Sequence, residues 1–312
     1  MFRGSIAAAL MEKLIHGAHA AVLTPRNNDH SINDEALRSL LRFHMKTGIR
    51  GFAIGGATGE FCSLTEDELR HILEVVADTV EHRATFVIGI GTADLHGTLR
   101  RGEIARKAGA TAVLLSMPYF FPYAQDDLDA FARAVASNLD LPILLYNLPQ
   151  FTSGLAPELT LALIQQCPSI IGIKDSSGSL ETLRLLTRET PEACRIVGND
   201  SALAQALTEG VADAVISGVA CAFPELVSSF FLEGEAAAKA SDRNVSALDR
   251  VIEQLNQVPT PWGLKMFVEA RGLAPASFLL PLSPKREQMR VTMAEWYRQN
   301  RGELFVDGAN AL

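Results

Sequence analysis

A lysine stands directly after an apolar run in the segment SIIGIKDSSGS, residues 169–179. Ile170, Ile171 and Ile173 are typical of a buried strand, and the Asp-Ser-Ser-Gly sequence after them is typical of a loop. Lysine is among the residues least often buried without a partner. The position of Lys174 at the end of this strand therefore indicates a specific chemical or structural role.

The chemistry open to such a lysine is imine formation. A protonated amine is no nucleophile, but an apolar interior disfavours the charged form, and the neutral amine attacks a ketone. The protonated imine then withdraws electrons from the adjacent carbon, which permits C–C cleavage, condensation or loss of water. The alternative is a structural ion pair between Lys174 and Asp175 or another acid.

Two other strand ends carry groups that would assist this chemistry. Tyr146 ends the preceding strand at the corresponding level, where a phenol can move protons beside an imine; the alternative is a core tyrosine with a satisfied hydroxyl. The run GGATGE, residues 55–60, exposes successive backbone N–H groups and adds the hydroxyl of Thr58. Such a nest holds a carboxylate or phosphate, although it is also typical of a tight turn. Together the amine, the phenol and the nest suit a 2-keto acid.

Short apolar runs alternate with longer amphipathic segments along most of the chain. The runs are continuously apolar, as expected of parallel strands that are covered on both faces. Asn33 and Thr65 are predicted helix caps because acidic first turns follow them. Eight successive strand–helix units predict an α/β fold, a (β/α)8 TIM barrel rather than an open sheet. The predicted strands are residues 20–25, 51–56, 84–92, 112–118, 142–149, 170–176, 194–200 and 212–218.

The barrel is predicted to occupy residues 1–222, with a short N-terminal extension that forms a surface or interface helix. Residues 223–300 are predicted to form a C-terminal helical region packed on the barrel, and residues 301–312 a flexible tail. In such barrels the chemistry lies where the strands end and the following loops begin. Lys174 is the only lysine at these predicted strand ends.

Composition limits the classes of partner and of site. The 312-residue chain is 48% hydrophobic with a net charge of −8, which argues against a nucleic-acid or anionic-membrane partner. No apolar run approaches the roughly 18 residues of a membrane span, so we expect a cytoplasmic protein. All seven histidines lie at or before His96, and the four cysteines are widely spaced. We therefore expect reduced thiols and no catalytic metal site or Ser-His-Asp triad.

Several motifs in this chain resemble those of one family. GGATGE, YNLP and GIKDSSG carry the likeness, and MPYFFP, GND and VISG follow the same order and spacing from about residue 17 to residue 295. In these features the chain resembles the dihydrodipicolinate synthase / N-acetylneuraminate lyase family of class I aldolases. The resemblance implies a TIM barrel that acts on pyruvate or a pyruvate-like group without a metal or organic cofactor.

The resemblance also implies roles for individual residues. Lys174 would form the Schiff base and Tyr146 would be the acid–base tyrosine. The carbonyl of Ile216 would face the lysine region. The carboxylate of the substrate would be held by Thr58 and the neighbouring N–H groups of Ala57 and Gly59. Family members are usually homotetramers, arranged as a dimer of dimers, whose Pro-Tyr-Phe segment reaches towards a neighbouring subunit's site.

Three departures from the family pattern bear on the substrate. The lysine-biosynthesis synthase relays protons through a threonine and an interface tyrosine, and these positions are Ala57 and Phe120 here. That synthase also binds its second substrate's carboxylate with an arginine near the position of Phe151. Because phenylalanine neither passes a proton nor binds a carboxylate, dihydrodipicolinate synthesis is disfavoured.

Other residues resemble the lyases that act on longer hydroxylated acids. Ser176, two positions after the lysine, matches a hydroxyl residue that contacts the substrate chain in sialate lyases. Asn199, Asp200 and Ser201 are placed to contact sugar hydroxyls, with turn formation as the alternative. We therefore predict a Schiff-base lyase that reversibly cleaves a 2-keto-3-deoxy sugar acid to pyruvate and an aldehyde.

Three other functions remain open at this point. The first is a sugar-acid dehydratase resembling 5-dehydro-4-deoxyglucarate dehydratase, which would share the imine but eliminate water. The second, less favoured, is 4-hydroxy-tetrahydrodipicolinate synthase. The third and least favoured is a non-catalytic barrel that binds small acids.

Overall fold

A computed structural model of the protein describes residues 15–231 and 242–305. Eight parallel strands pair in chain order, and the last pairs with the first, so that the sheet closes on itself. This confirms the predicted (β/α)8 barrel. The strands are β1 Gly17–Ala21, β2 Gly51–Ile54, β3 Thr85–Gly89, β4 Ala112–Ser116, β5 Ile143–Asn147, β6 Ile170–Asp175, β7 Cys194–Val197 and β8 Ala214–Ser217.

Helices follow the strands around the barrel, and three more come after residue 241. The barrel helices are α1 Asp34–Met45, α2 Glu66–Val80, α3 Leu95–Lys107, α4 Gln125–Asn138, α5 Pro157–Gln166, α6 Glu181–Glu189, α7 Leu203–Thr208, α8 Val219–Ala222 and α9 Pro224–Ser228. The later helices are α10 Asp242–Leu255, α11 Trp262–Ala270 and α12 Pro284–Leu304. Short 3₁₀ turns occupy Phe61–Ser63, Asp200–Ala202 and Ser229–Phe231.

The predicted caps and most predicted strands agree with the structure. The Asn33 side chain accepts the Ala36 N–H at 2.9 Å, and Thr65 forms a capping box with Glu68. Seven of the eight predicted strand ranges contain the observed strand. The first is displaced, because β1 is Gly17–Ala21 rather than residues 20–25. The sequence pattern missed the start of β1 because Gly17, which adopts a left-handed φ, and the polar His19 are not typical of an apolar strand. Residues 22–25 already belong to the loop after β1.

An extra residue in β6 sets the side on which Lys174 lies. Ile143 of β5 pairs with Ile170, but the next residue, Leu144, pairs with Gly172. Ile171 is therefore additional, and a one-residue shift reverses the side on which every later residue of a strand points. Beyond the shift, Tyr146 pairs with Lys174.

The two sides of the barrel wall have separate cores. Tyr146, Ile171 and Ile196 belong to a cluster in the barrel interior, whereas Ile173 packs in the larger cluster between strands and helices. Lys174, the residue after Ile173, lies on the interior side beside Tyr146. Simple alternation from Ile171 would have placed the lysine among the helices instead.

The C-terminal helices are joined to the barrel by a buried cation. The Arg271 guanidinium pairs with Glu225 at 2.7 Å and lies 5.0–6.0 Å from four aromatic rings. These rings are Phe43, Phe223, Tyr297 and Phe305. These contacts connect α11 and α12 to α1 and α9, while the division of the chain into domains stays a prediction.

The predicted boundary of the tail needs correction. Helix α12 extends to Leu304, beyond the predicted start of the tail at residue 301, and Leu304 and Phe305 are buried. These two apolar side chains pack into the core that holds the C-terminal helices. Residues 306–312 and the predicted N-terminal helix lie outside the described residues. None of the helices that the structure describes has the length and apolar character required to cross a membrane.

The close contact beside the extra residue predicts a stability effect. A Cβ on Gly172 would stand 2.1 Å from the Cys194 carbonyl oxygen and 2.7 Å from its Cβ. Gly172→Ala should therefore lower the free energy of unfolding by about 1–3 kcal/mol, measured by urea denaturation. The control Gly302→Ala, where nothing lies within 4 Å of the new Cβ, should be neutral or slightly stabilising. Equal effects at the two sites would contradict the prediction.

Candidate active site

A cavity of about 340 Å³ opens at the carboxyl ends of the strands. Residues after β2, β5, β6, β7 and β8 form one side of it, as expected for this fold. Residues of α10, α11 and the connection between them form the other side. Lys174 and Tyr146 line the cavity where it meets the barrel interior.

The lysine and the tyrosine contact each other directly. Lys174 Nζ donates a hydrogen bond of 2.9 Å to the Tyr146 hydroxyl and lies 4.1 Å from the centre of the ring. Lys174 is only 3% exposed and Tyr146 only 4% exposed. Among the described residues, no carboxylate lies within ion-pair distance of Lys174. The amine therefore faces a phenol and a cavity.

The acid next in sequence is engaged elsewhere. The Asp175 carboxylate accepts the Ser177 N–H at 2.8 Å and the Asn147 side-chain amide at 3.3 Å. The Asn147 side-chain oxygen in turn accepts the Leu155 N–H at 3.1 Å. Asp175 thus fixes the loops after β5 and β6, and the structural ion pair with Lys174 that we considered as an alternative is not formed.

The glycine-rich run forms a compact turn after β2. Gly55 adopts a φ of +62°, and a Cβ on Gly59 would stand 3.1 Å from both the Gly55 nitrogen and the Val22 oxygen. The Thr24 hydroxyl donates to the Gly59 carbonyl at 2.8 Å. Ala57 and Thr58 line the cavity, whereas Gly59 lies in the close-packed part of the turn. The predicted carboxylate cradle is therefore adjacent to the lysine.

Glycine is also required where β7 ends. A Cβ on Gly198 would stand 2.1 Å from Ser176 Oγ and 2.9 Å from Lys174 Cε. Ser176 and Lys174 therefore occupy the space that a side chain at residue 198 would need. Both line the cavity, as does Asn199, whose side chain also accepts the Ser201 N–H at 3.1 Å. The motif Gly-Asn-Asp indicated this position in the sequence, but it did not show that a side chain at residue 198 would clash with Ser176 and Lys174.

Asp200 is the acidic group of the cavity. Its carboxylate accepts hydrogen bonds from the Ser217 hydroxyl and, at 3.2 Å, from the Val219 N–H. Burial raises the pKa of Asp200, and the hydrogen bonds and the Lys174 charge oppose that rise in part. Asp200 is therefore a fixed acceptor in the lining of the cavity that Lys174 also lines.

Ile216, like Gly59, is a predicted site residue outside the cavity lining. It is buried in the interior cluster with Tyr146 and does not line the cavity. The role expected for its carbonyl stays a prediction. Histidine is absent from the described lining of the cavity, and the described residues contain no group of three or more potential metal ligands.

The contribution of the C-terminal helices was missed from the sequence. Ile252, Leu255, Asn256 and Leu264 line the cavity opposite the strand ends. Leu264 approaches to 3.4 Å from the position of a Cβ on Gly218, beside the cradle. Amphipathic periodicity shows that a helix has an apolar face but does not show what that face covers, so no sequence signal indicated this contact.

A buried ion pair links α11 to the glycine-rich turn. Lys265 Nζ lies 2.6 Å from Glu60 Oε2 and donates to the Ser277 carbonyl at 2.6 Å. Burial lowers the pKa of Lys265, and the hydrogen bond and charge of Glu60 oppose that shift. Glu60 itself adopts a left-handed φ of 57°. The pair therefore connects the covering helix to the residues that follow Thr58.

Aromatic residues form the outer rim of the site. Phe120 has a φ of +84°, is 86% exposed and packs edge-to-face on Phe121. Phe151 lines both the main cavity and a second, adjoining one that also includes Phe120 and Leu280. The structure thus places Phe151 at the mouth and Phe120 farther out.

The chain matches known proteins over almost its whole length. A model of the "Dihydrodipicolinate synthetase family" matches residues 14–299. The 4-hydroxy-tetrahydrodipicolinate synthase of Bacillus subtilis is 29% identical, covering 88% of this chain and 95% of that protein.

Solved structures share the fold of this chain. The 4-hydroxy-tetrahydrodipicolinate synthase of Methylacidiphilum fumariolicum SolV is 26% identical, with a TM-score of 0.82 and coverage of 94% and 100% of the two chains. YagE of Escherichia coli K12, described as a dihydrodipicolinic acid synthase family protein in complex with pyruvate, is 25% identical, with a TM-score of 0.81 and coverage of 92% and 98%.

The buried ion pair predicts a large loss of stability on truncation. Lys265→Met removes the cation and leaves Glu60 buried without its partner, which should lower the free energy of unfolding by about 3–5 kcal/mol. Urea denaturation measures this loss. The control is Lys107→Met, because Lys107 lies 3.5 Å from Glu103 on the exposed surface, and it should change stability by no more than about 0.5 kcal/mol. A loss at Lys265 no larger than at Lys107 would refute the role of the pair.

Proposed function

Because the chain belongs to the dihydrodipicolinate synthetase family of class I pyruvate-dependent lyases and aldolases, we propose that it cleaves a 2-keto-3-deoxy sugar acid to pyruvate and an aldehyde. The observation that carries this proposal is the buried Lys174–Tyr146 hydrogen bond beside a glycine-rich cradle. It brings an amine, a phenol and a glycine-rich turn to one small volume, which supports their proposed roles as nucleophile, proton carrier and anion-binding turn.

The reaction begins with imine formation. The neutral amine of Lys174 adds to the C2 ketone, and loss of water gives a protonated imine. Tyr146, which lies within hydrogen-bond distance of the amine, carries protons to and from the departing oxygen. Thr58 and the N–H groups of its turn orient the C1 carboxylate.

Cleavage follows from the electron demand of the imine. A base takes the proton of the C4 hydroxyl, the C3–C4 bond breaks, and the C4 fragment leaves as an aldehyde. The electron pair of the broken bond enters the imine as an enamine. Protonation at C3 and hydrolysis then release pyruvate and regenerate the Lys174 amine. Tyr146 is the proposed proton carrier at C4.

The cavity suits a hydroxylated substrate chain beyond the pyruvyl unit. Ser176, Asn199 and Asp200 line it at the ends of β6 and β7, so hydroxyl donors and acceptors lie past the lysine. The α10–α11 side adds apolar contacts from Ile252 and Leu264. A pocket that combines apolar contacts with a few placed polar groups is typical of small-molecule sites, and here this combination suits a hydroxylated carbon chain.

Synthesis of 4-hydroxy-tetrahydrodipicolinate is the second candidate, because the curated relatives carry that name at 29% identity. Its semialdehyde substrate brings a carboxylate to the outer part of the site. At the positions where the family resemblance implies a relay threonine, an interface tyrosine and an arginine, this chain has Ala57, Phe120 and Phe151. We therefore rank synthesis below cleavage.

A homotetramer is part of the proposal. The described surface carries large exposed apolar side chains next to the site, namely Phe120, Phe121, Phe151 and Leu280. Clustered exposed apolar residues are typical of an association surface. The family resemblance implies that the Pro-Tyr-Phe segment contacts a neighbouring subunit, and these residues are positioned for that contact.

Pyruvate release tests the proposed function. Supplied with 2-keto-3-deoxy sugar acids, the protein should release pyruvate, measured by coupling to lactate dehydrogenase. Lys174→Ala should abolish release because no imine forms, and Tyr146→Phe should reduce kcat by about 10²–10⁴ because the proton carrier is lost. Borohydride reduction in the presence of pyruvate should give a mass adduct on the wild type that Lys174→Ala lacks.

The same assay separates the alternatives. Loss of water from the substrate without release of pyruvate would support a dehydratase and overturn the lyase. Absence of both reaction and adduct would support a non-catalytic barrel that binds small acids.

Condensation provides a further prediction. Incubated with pyruvate and aspartate semialdehyde, the wild type should form product at a rate at least about 100-fold below its lyase rate, because the outer carboxylate lacks a cationic partner. The measurement couples the condensation to dihydrodipicolinate reductase. Efficient condensation would show that Ala57, Phe120 and Phe151 do not exclude this reaction.

A further inference from the structure

We infer that the substrate of this site carries one anionic group only, its C1 carboxylate, and ends in an uncharged hydroxylated segment. The inference rests on the proposed lyase function. It excludes second carboxylates and phosphates at the far end of the substrate. The argument comes from the charges around the cavity.

Lys174 is the single cationic residue among the described residues that line the main cavity. Its amine is consumed as the imine, so it is not free to neutralise a second anion. Asp200 is the one acidic residue of this lining, and its carboxylate is engaged by the Ser217 hydroxyl and the Val219 N–H. A second anionic group on the substrate would therefore meet no opposite charge among the described residues of this lining.

The outer approach to the site also lacks a cationic residue among those that the structure describes. The adjoining cavity shares Ala57, Phe151, Thr260 and Pro261 with the main one. Its described lining includes Glu60 and several aromatic residues but no lysine, arginine or histidine. A substrate tail that extended outwards would thus find apolar contacts and an acid that is already paired with Lys265, but no cation among the described residues.

The nearest buried cation is already neutralised. Lys265 follows Leu264, which lines the main cavity, but its Nζ lies 2.6 Å from Glu60 and 2.6 Å from the Ser277 carbonyl oxygen. Its side chain is 3% exposed. Releasing Lys265 to bind a ligand would leave Glu60 as an unpaired buried acid, which is costly.

The groups that remain are suited to hydroxyls. Ser176, Asn199 and Ser201 offer neutral donors and acceptors, and Asn256 and Thr260 offer the same at the α10–α11 side. An anion bound in this setting loses its hydration without gaining a charged partner, whereas a hydroxyl exchanges one hydrogen bond for another. The lining therefore selects a 2-keto-3-deoxy aldonic acid over its phosphorylated or dicarboxylic counterparts.

Three six-carbon substrates test this selection because they differ only at C6. They are 2-keto-3-deoxygluconate, its 6-phosphate, and the corresponding acid with a second carboxylate at C6. We expect kcat/KM for pyruvate release to be at least about 100-fold higher with the first than with either of the others. If a substrate with a charged C6 group is cleaved as well as or better than 2-keto-3-deoxygluconate, the inference is overturned and the lyase function still stands.

A charge-introducing variant provides the matched comparison. Phe151→Arg places a cation at the cavity mouth, and it should raise kcat/KM for the two substrates with a charged C6 group, relative to the substrate with an uncharged C6 group, by about 10-fold. Val291→Arg adds the same charge to an exposed apolar position on α12 outside the described lining, and it should leave that ratio unchanged. Equal ratios in the two variants would overturn the inference, whereas no pyruvate from any of the three substrates would overturn the proposed function itself.

Discussion

A buried amine with no ion-pair partner among the described residues is the constraint on which the site depends. A charged group loses hydration when it is buried, and proteins usually offset this with an opposite charge. Lys174 instead contacts the Tyr146 hydroxyl, while Asp175, the nearest acid in sequence, is bound to Ser177 and Asn147. An amine in this setting has a proton acceptor beside it and open space in front, which is the arrangement that imine chemistry requires.

The surrounding backbone is shaped to leave that space. The extra residue in β6 turns the lysine into the barrel, and Gly198 leaves room for its side chain and for Ser176. The turn after β2 is compact because Gly55 adopts a left-handed φ and Gly59 has no Cβ to meet Val22. These glycines lie at the ends of two different strands, β2 and β7, and both strand ends border the same cavity. The chemistry therefore depends on close backbone packing as much as on the reactive side chains.

The C-terminal helices complete the site and influence its charge. Leu264 and Asn256 supply part of the cavity wall, and the Lys265–Glu60 pair joins that wall to the glycine-rich turn. Because this pair neutralises a nearby cation, the outer part of the cavity has hydroxyl and apolar groups rather than positive charge. Substrate choice within a fold that hosts many reactions is decided by such local features.

The sequence by itself determined the barrel, the catalytic lysine candidate, its tyrosine and the cradle, because these depend on local patterns. Apolar runs, helix caps and short motifs are properties of neighbouring residues, and they predicted the fold and placed Tyr146 and Thr58 correctly at strand ends. Only the tertiary structure decided which side of β6 carries Lys174, where Asp175 is engaged, and that α10 and α11 cover the cavity. The register of β6 against β5 and the docking of distant helices are set by contacts between remote segments, and no local pattern encodes them.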